Sequence, residues 1–168
     1  YRYVLLNHPV RPAINHGLIG WYHRPLDAAA MNLAAAHLIG QHDFSAFRAA
    51  ACQAKSPVKE LRLAHVERRG DYLLCDFHAD GFLHHMVRNL MGCLVQVGAG
   101  SQSPEWLREI LAGRDRTLAA PTFDGAGRLT LVEVVRDEQA ELEEMRVGVL
   151  ERGDTFARRQ LPLGMLLR

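Results

Sequence analysis

Lysine is nearly missing from this chain. Lys55 and Lys59 are the only two, and arginine carries the rest of the positive charge. A planar guanidinium fork suits phosphate, although a compositional bias of the source genome would produce the same skew. The formal net charge is only +1, which argues against a globally basic nucleic-acid binder. No apolar run approaches the roughly 20 residues of a membrane-spanning helix, and no secretory leader is expected. The chain opens on Tyr1 rather than Met, directly in strand-like sequence, so a crop from a longer protein is expected. Cysteine is sparse and odd in number: Cys52, Cys75 and Cys93 match neither a disulfide framework nor a zinc pattern. A reducing, cytoplasmic setting is the expectation. Also missing are a phosphate loop, Gly-x-Gly-x-x-Gly and Gly-x-Ser-x-Gly, the signatures of three large nucleotide-binding and hydrolase classes.

What is present is 168 residues, 48% apolar and 23% charged, enough for one domain with a real core. Its centre is the stretch from Gly81 to Leu94. Leu83, Met86, Val87, Leu90, Met91 and Leu94 recur at helical spacing and make one apolar face. His84, His85, Arg88 and Asn89 fall on or near the other side. This reading starts the helix near Gly81, puts Arg88 near its middle on the face of His84, and gives Asp80 the role of cap. A helix arginine is most often a solvated surface group. Here no carboxylate lies between Gly81 and Gly100, so the usual acid–base ladder of a solvated face is absent. That marks a candidate binding face.

Before this helix, residues 1–6 read as a strand and 12–20 as a loop. Trp21, Tyr22, His23 and Arg24 mix aromatic and cationic groups, which suits either RNA stacking or a half-buried loop. Asp27 caps a helix that runs to about Ile39, with Gly40 as its stop. Phe44 and Phe47 are core anchors, and residues 51–55 form an exposed loop closed by Pro57. Strands at 61–68 and 72–79 make an antiparallel hairpin through Arg69, Gly70 and Asp71. After the central helix, Ser103 and Pro104 open another that Gly113 closes. A charged turn at 114–117, a loop at 121–128 and a strand at 129–135 follow. The expected fold is α/β (α+β), a mostly antiparallel sheet with helices packed on one face. The division expected is an α/β domain over 1–136, then an acidic helical segment and tail over 137–168.

Nine histidines invite a metal reading. His84 and His85, adjacent on a helix, would diverge by about 100° and rarely chelate together. Cys75 and Cys93 stand at apolar positions, where thiols are inert. From the residues alone the chain is an α/β domain with one unusual cationic helix face.

The run Phe82-Leu83-His84-His85-Met86-Val87-Arg88-Asn89, followed by Gly92, resembles the signature helix of the TruA family of tRNA pseudouridine synthases. Tyr1-Arg2-Tyr3, Arg11-Pro12-Ala13, Pro25-Leu26-Asp27, Asp43-Phe44-Ser45-Ala46-Phe47-Arg48, Val97-Gly98 and Arg114-Asp115-Arg116-Thr117 resemble family landmarks in family order, covering residues 1 to about 135. The resemblance implies a pseudouridine-synthase-like fold. It implies isomerisation of uridine to pseudouridine in the anticodon stem-loop of tRNA, with no cofactor or metal, by a homodimer on a flipped-out base. The family's nucleophilic aspartate sits in a Gly-Arg-Thr-Asp-Ala-Gly motif that this chain lacks, so the chain resembles the second half of such an enzyme. By itself it is expected to be inactive. By the same resemblance Arg88 is the arginine that pairs with the nucleophile, and Tyr1 stacks on the base and takes part in proton transfer. Leu129 lies near the leucine that packs on the base, within Gly-Arg-Leu-Thr-Leu where the family usually reads Gly-Leu-Tyr-Leu. Arg11, Tyr22, Arg48, Ala51, Cys52, Gln53, Ala54 and Lys55 fall where the family meets tRNA. A non-catalytic RNA-binding module and a structural or dimerisation half are the competing possibilities.

Overall fold

The computed structural model describes residues 1–12 and 19–121, together with the backbone of two later strands, Val132–Val135 and Arg146–Val149. Leu129, most of the loops expected at 12–20 and 121–128, the acidic segment at 137–145 and the residues after 149 lie outside the described residues. The fold is mixed α/β with a mostly antiparallel seven-stranded sheet.

The sheet is built outward from a long hairpin. β4 (Val58–Arg69) and β5 (Tyr72–Ala79) run antiparallel, joined by a turn in which Gly70 takes φ +58°. A left-handed residue is what a two-residue hairpin turn requires, and glycine adopts it without steric cost. β1 (Arg2–Asn7) lies antiparallel to β5, with Arg2 opposite Asp76 and Leu6 opposite Tyr72. Its other edge takes β2 (Gly20–Tyr22) in parallel and, at Arg2, β6 (Val132–Val135). β3 (Gly40–Asp43) closes one side on β4, and β7 (Arg146–Val149) closes the other on β6, giving the order β3-β4-β5-β1-β6-β7. β7 lies beyond the boundary expected at residue 136, and it continues the same sheet.

Alternation along β1 and β5 divides the two faces of the sheet. Tyr3, Leu5, Leu73, Cys75 and Phe77 join the main core, to which α1 (Ala28–Ala36), α2 (Met86–Gly98) and α3 (Trp106–Gly113) all contribute. Val4, Leu6 and Ile19 form a small second cluster with Trp21, Tyr72 and Leu74, to which, among the described residues, no helix contributes. The helices therefore pack on one face, as expected. Phe44 and Phe47 are fully buried around a single 3-10 turn, Ser45–Phe47. Asp27 caps α1 by accepting the Ala30 N–H at 3.0 Å. The second half of β4 extends past β3, and α1 covers its edge: Asn32 Oδ1 accepts the Val66 N–H at 2.9 Å.

The central helix differs from its sequence reading in two ways. It starts at Met86, because His85 takes a left-handed backbone, φ 61°, that interrupts the helical path. Arg88 therefore stands in the first turn rather than near the middle. Asp80 is not the cap; its Oδ1 accepts the Glu60 N–H at 3.0 Å. The helix is also buried nearly all round. Of its residues only Arg88 and Gln96 fall outside the buried set. Each fully buried leucine or methionine here contributes about 1.5–3 kcal/mol.

At its far end α2 meets α1 through Gly98. A Cβ at this position would lie 2.6 Å from Met31 Sδ, 2.8 Å from its Cγ and 3.2 Å from Leu26 Cδ2. Met31 is fully buried, so it has little room to retreat. Gly98→Val is expected to cost about 1–3 kcal/mol by overpacking and to lower Tm by several degrees. A scan of wild type against variant decides it, and an unchanged Tm would show that the α1–α2 contact yields.

Candidate active site

Tyr1 immediately precedes β1 and extends its ladder. Its backbone nitrogen donates to the Phe77 carbonyl at 2.7 Å, and the Phe77 N–H donates to the Tyr1 carbonyl at 2.8 Å. Its ring meets Phe82 edge to face, centroids 4.6 Å apart. Phe82 belongs to the link between β5 and α2, so the tyrosine is held against the segment that leads into Arg88. Both rings are half-buried.

That link is pinned on two sides. The Asp80 N–H donates to the Glu60 carbonyl at 3.1 Å, which ties its start to β4. The His84 carbonyl accepts the Ala49 N–H at 3.1 Å, and the His84 N–H donates to Cys52 Sγ at 3.4 Å, which ties its end to the loop after the 3-10 turn. His84 and His85 stand outside the helix rather than diverging along it, and their exposed rings stack with centroids 4.0 Å apart. Arg88 follows in the first turn, half-buried, where the helix macrodipole is positive; the first turn itself holds no acidic residue and His85 gives no side-chain cap. A cation at the positive end of a helix is a pairing that an anionic group complements.

The 49–55 loop is organised from within. Arg48 Nη2 donates to the carbonyls of Cys52 at 2.5 Å and Ala54 at 2.9 Å. Ala51, Gln53 and Lys55 are exposed as expected, and Ala54 is intermediate. Cys52 departs from the expected exposed loop: it is buried, with its sulfur turned toward the His84 backbone. Backbone N–H groups of Ala54 and His84, with Arg48 behind them, hold its thiol below the usual cysteine range. The other two cysteines behave oppositely. Burial pushes Cys93 up to about 11 and Cys75 higher still, so both stay protonated at neutral pH.

The structure separates the expected RNA-contact residues into two groups. Arg48 and residues 51–55 sit beside the link to Arg88. Arg11 and Tyr22 lie at the other end of β1, roughly 20 Å along the strand from Tyr1 at about 3.3 Å per residue. There the Arg11 guanidinium stands 5.7 Å over the Trp21 ring, and Arg24 lies 5.7 Å over Tyr22 while donating to its hydroxyl at 3.0 Å. Asn7 fastens this corner by donating to the Tyr22 and Arg24 carbonyls.

Two residues near Arg88 stand differently from their sequence reading, which put Asn89 on the polar face and Arg116 in a charged turn. Asn89 is buried, not on a binding face, and Arg116 turns inward to meet it. A signal was available: Asn89 is three residues after Met86 and four before Cys93, which places it on the helix's buried side.

The chain belongs to the tRNA pseudouridine synthase family, whose profile matches residues 34–135. It is 80% identical over 127 residues to the protein named tRNA pseudouridine synthase A of Thiobacillus denitrificans, covering 76% of this chain and 49% of that protein. It is 63% identical to the protein of the same name from Methylibium petroleiphilum, covering 73% and 47%. The Burkholderia ambifaria protein of that name is 51% identical over 162 residues, covering 96% of this chain and 60% of its own length. The chain thus spans about half the length of the first two relatives.

Proposed function

We propose that this chain is the half of a tRNA pseudouridine synthase that supplies Arg88 and Tyr1 to a shared cleft, the other half supplying the nucleophilic aspartate. The observation that carries this reading is Arg88 itself: a half-buried guanidinium at the electropositive start of a helix otherwise almost wholly buried. A neighbouring guanidinium keeps a carboxylate ionised and orients it. Tyr1, fixed by Phe77 and Phe82, offers a ring on which a flipped uracil stacks, and by family resemblance Leu129, outside the described residues, is assigned to the same base. The whole protein isomerises uridine in the tRNA anticodon stem-loop as a cytoplasmic homodimer without a cofactor.

The 51–55 loop, with Arg48, Arg11 and Tyr22, forms the tRNA path. Because Arg48 staples this loop and Cys52 ties it to His84, RNA held there is registered against the link to Arg88. The test uses the full-length synthase that carries this chain and an unmodified tRNA transcript, with pseudouridine mapped by chemical labelling. Product is expected in the anticodon stem-loop, and product confined elsewhere would overturn that assignment. In the same system Lys55→Glu is expected to weaken tRNA binding and to lower its salt slope by about one. Equal affinity across a salt series would remove the loop from the path.

A further inference from the structure

Among the described residues one polar side chain is buried: Asn89, 1% exposed. Its Nδ2 donates to the Phe47 carbonyl at 2.7 Å, and its Oδ1 accepts from Arg116 Nη2 at 3.3 Å. Arg116 in turn donates from Nη1 to the Ala120 carbonyl at 3.0 Å and the Ala119 carbonyl at 3.4 Å. One amide therefore joins the 3-10 turn, the first turns of α2 and the segment after α3. It does so at the residue next to Arg88.

An apolar side chain of the same shape would fill this space, so stability alone does not call for an amide. What hydrogen bonds add is direction. Apolar contacts around a helix buried nearly all round tolerate a small roll about its axis, whereas two directed bonds on opposite sides of one amide do not. The lever is long. With an arginine head roughly 8 Å from the axis, a roll of about 10° moves it by more than 1 Å. A misplacement of about 1 Å costs on the order of 10²-fold in rate.

We propose that Asn89 and Arg116 are positioning residues: together they fix the roll of α2 and so aim the Arg88 guanidinium. This rests on the role given to Arg88 above. It goes beyond that role by assigning the reaction two groups that touch neither base nor phosphate.

The experiment compares the full-length synthase with Asn89→Leu, Arg116→Met and Arg116→Lys on an unmodified tRNA transcript, below the Tm of every variant. Asn89→Leu and Arg116→Met are expected to lower kcat by about 30- to 100-fold with KM for tRNA within two-fold of the parent. The double variant is expected to be no worse than the poorer single, since the pair acts as one unit. Arg116→Lys keeps a donor and restores part of the loss. Should Asn89→Leu fail to fold, Arg116→Met and Arg116→Lys carry the comparison, because Arg116 is half-exposed. Unchanged kcat in the folded variants, with only Tm lowered, overturns the proposal. So does a raised KM with intact kcat, which would make these residues part of RNA binding. A parent that forms no pseudouridine, or that is indifferent to Arg88→Ala, overturns the functional reading along with this one. An active parent sensitive to Arg88→Ala but indifferent to Asn89→Leu overturns this inference alone.

Discussion

Arg88→Ala is expected to lower kcat/KM of the full-length synthase by about 10²–10³ or more while leaving the fold intact. The loss follows from what a guanidinium does beside a carboxylate: it keeps the acid ionised, holds it in one orientation and stabilises charge that develops on the reacting atoms. Alanine does none of these. The intact fold follows from the place of the residue. Arg88 is half-buried with its Nε enclosed, so truncation removes less packing than loss of a fully buried α2 side chain would. It also sits in the first turn, where a positive charge opposes the helix macrodipole and alanine is the better helix former. The variant should therefore melt within a few degrees of the parent. Retained activity would show that another group pairs with the nucleophile, and a collapsed fold would show that the arginine is structural.

The isolated chain is expected to form no pseudouridine at all. Rearrangement at the sugar–base junction needs a nucleophile or a base there. Tyrosine near its reference pKa of about 10 is a poor nucleophile at neutral pH, and arginine is already protonated. Among the described residues, four carboxylates of this domain are engaged locally. Asp76 holds Arg2 in a two-pronged pair at 2.7 and 2.8 Å, which raises the arginine above its ordinary range. Asp80 accepts the Glu60 N–H. Asp43 accepts from the Ser45 hydroxyl and N–H with Arg114 3.8 Å away, and stays below the usual carboxylate range. Asp115 accepts the Thr117 N–H and is likewise held low. Purified residues 1–168 incubated with unmodified tRNA, then assayed by mass-neutral chemical labelling, give the answer. Any product would mean that a carboxylate within this chain performs the chemistry, and the half-enzyme reading would fall.

Much of the fold was legible in periodicity. The 72–79 strand and its hairpin with 61–68 were readable because alternation and a Gly-containing turn are local properties. So was the Asp27 cap, a contact made within three residues. β2 and β3 were not readable. Gly40–Asp43 contains no apolar side chain and becomes a strand only because β4 presents a free edge beside it. β2 is three residues long, too short for a period to register. The start of α2 was misplaced because an apolar spacing says where a face points, not where a left-handed residue interrupts it.

The candidate site divides in the same way. The order of residue types by itself determined that Arg88 belongs to a helix with a core-facing side, that no acid–base ladder surrounds it, and which family the chain resembles. These are properties of neighbours along the chain. Only the tertiary structure decided that Arg88 stands at the helix start, that Cys52 turns inward and that Arg48 serves its own loop. It also set Arg11 and Tyr22 at the opposite end of β1 from Tyr1. The Asn89–Arg116 bond joins residues 27 apart in sequence. No local period encodes such a contact, because it exists only once α2 and the segment after α3 have packed together.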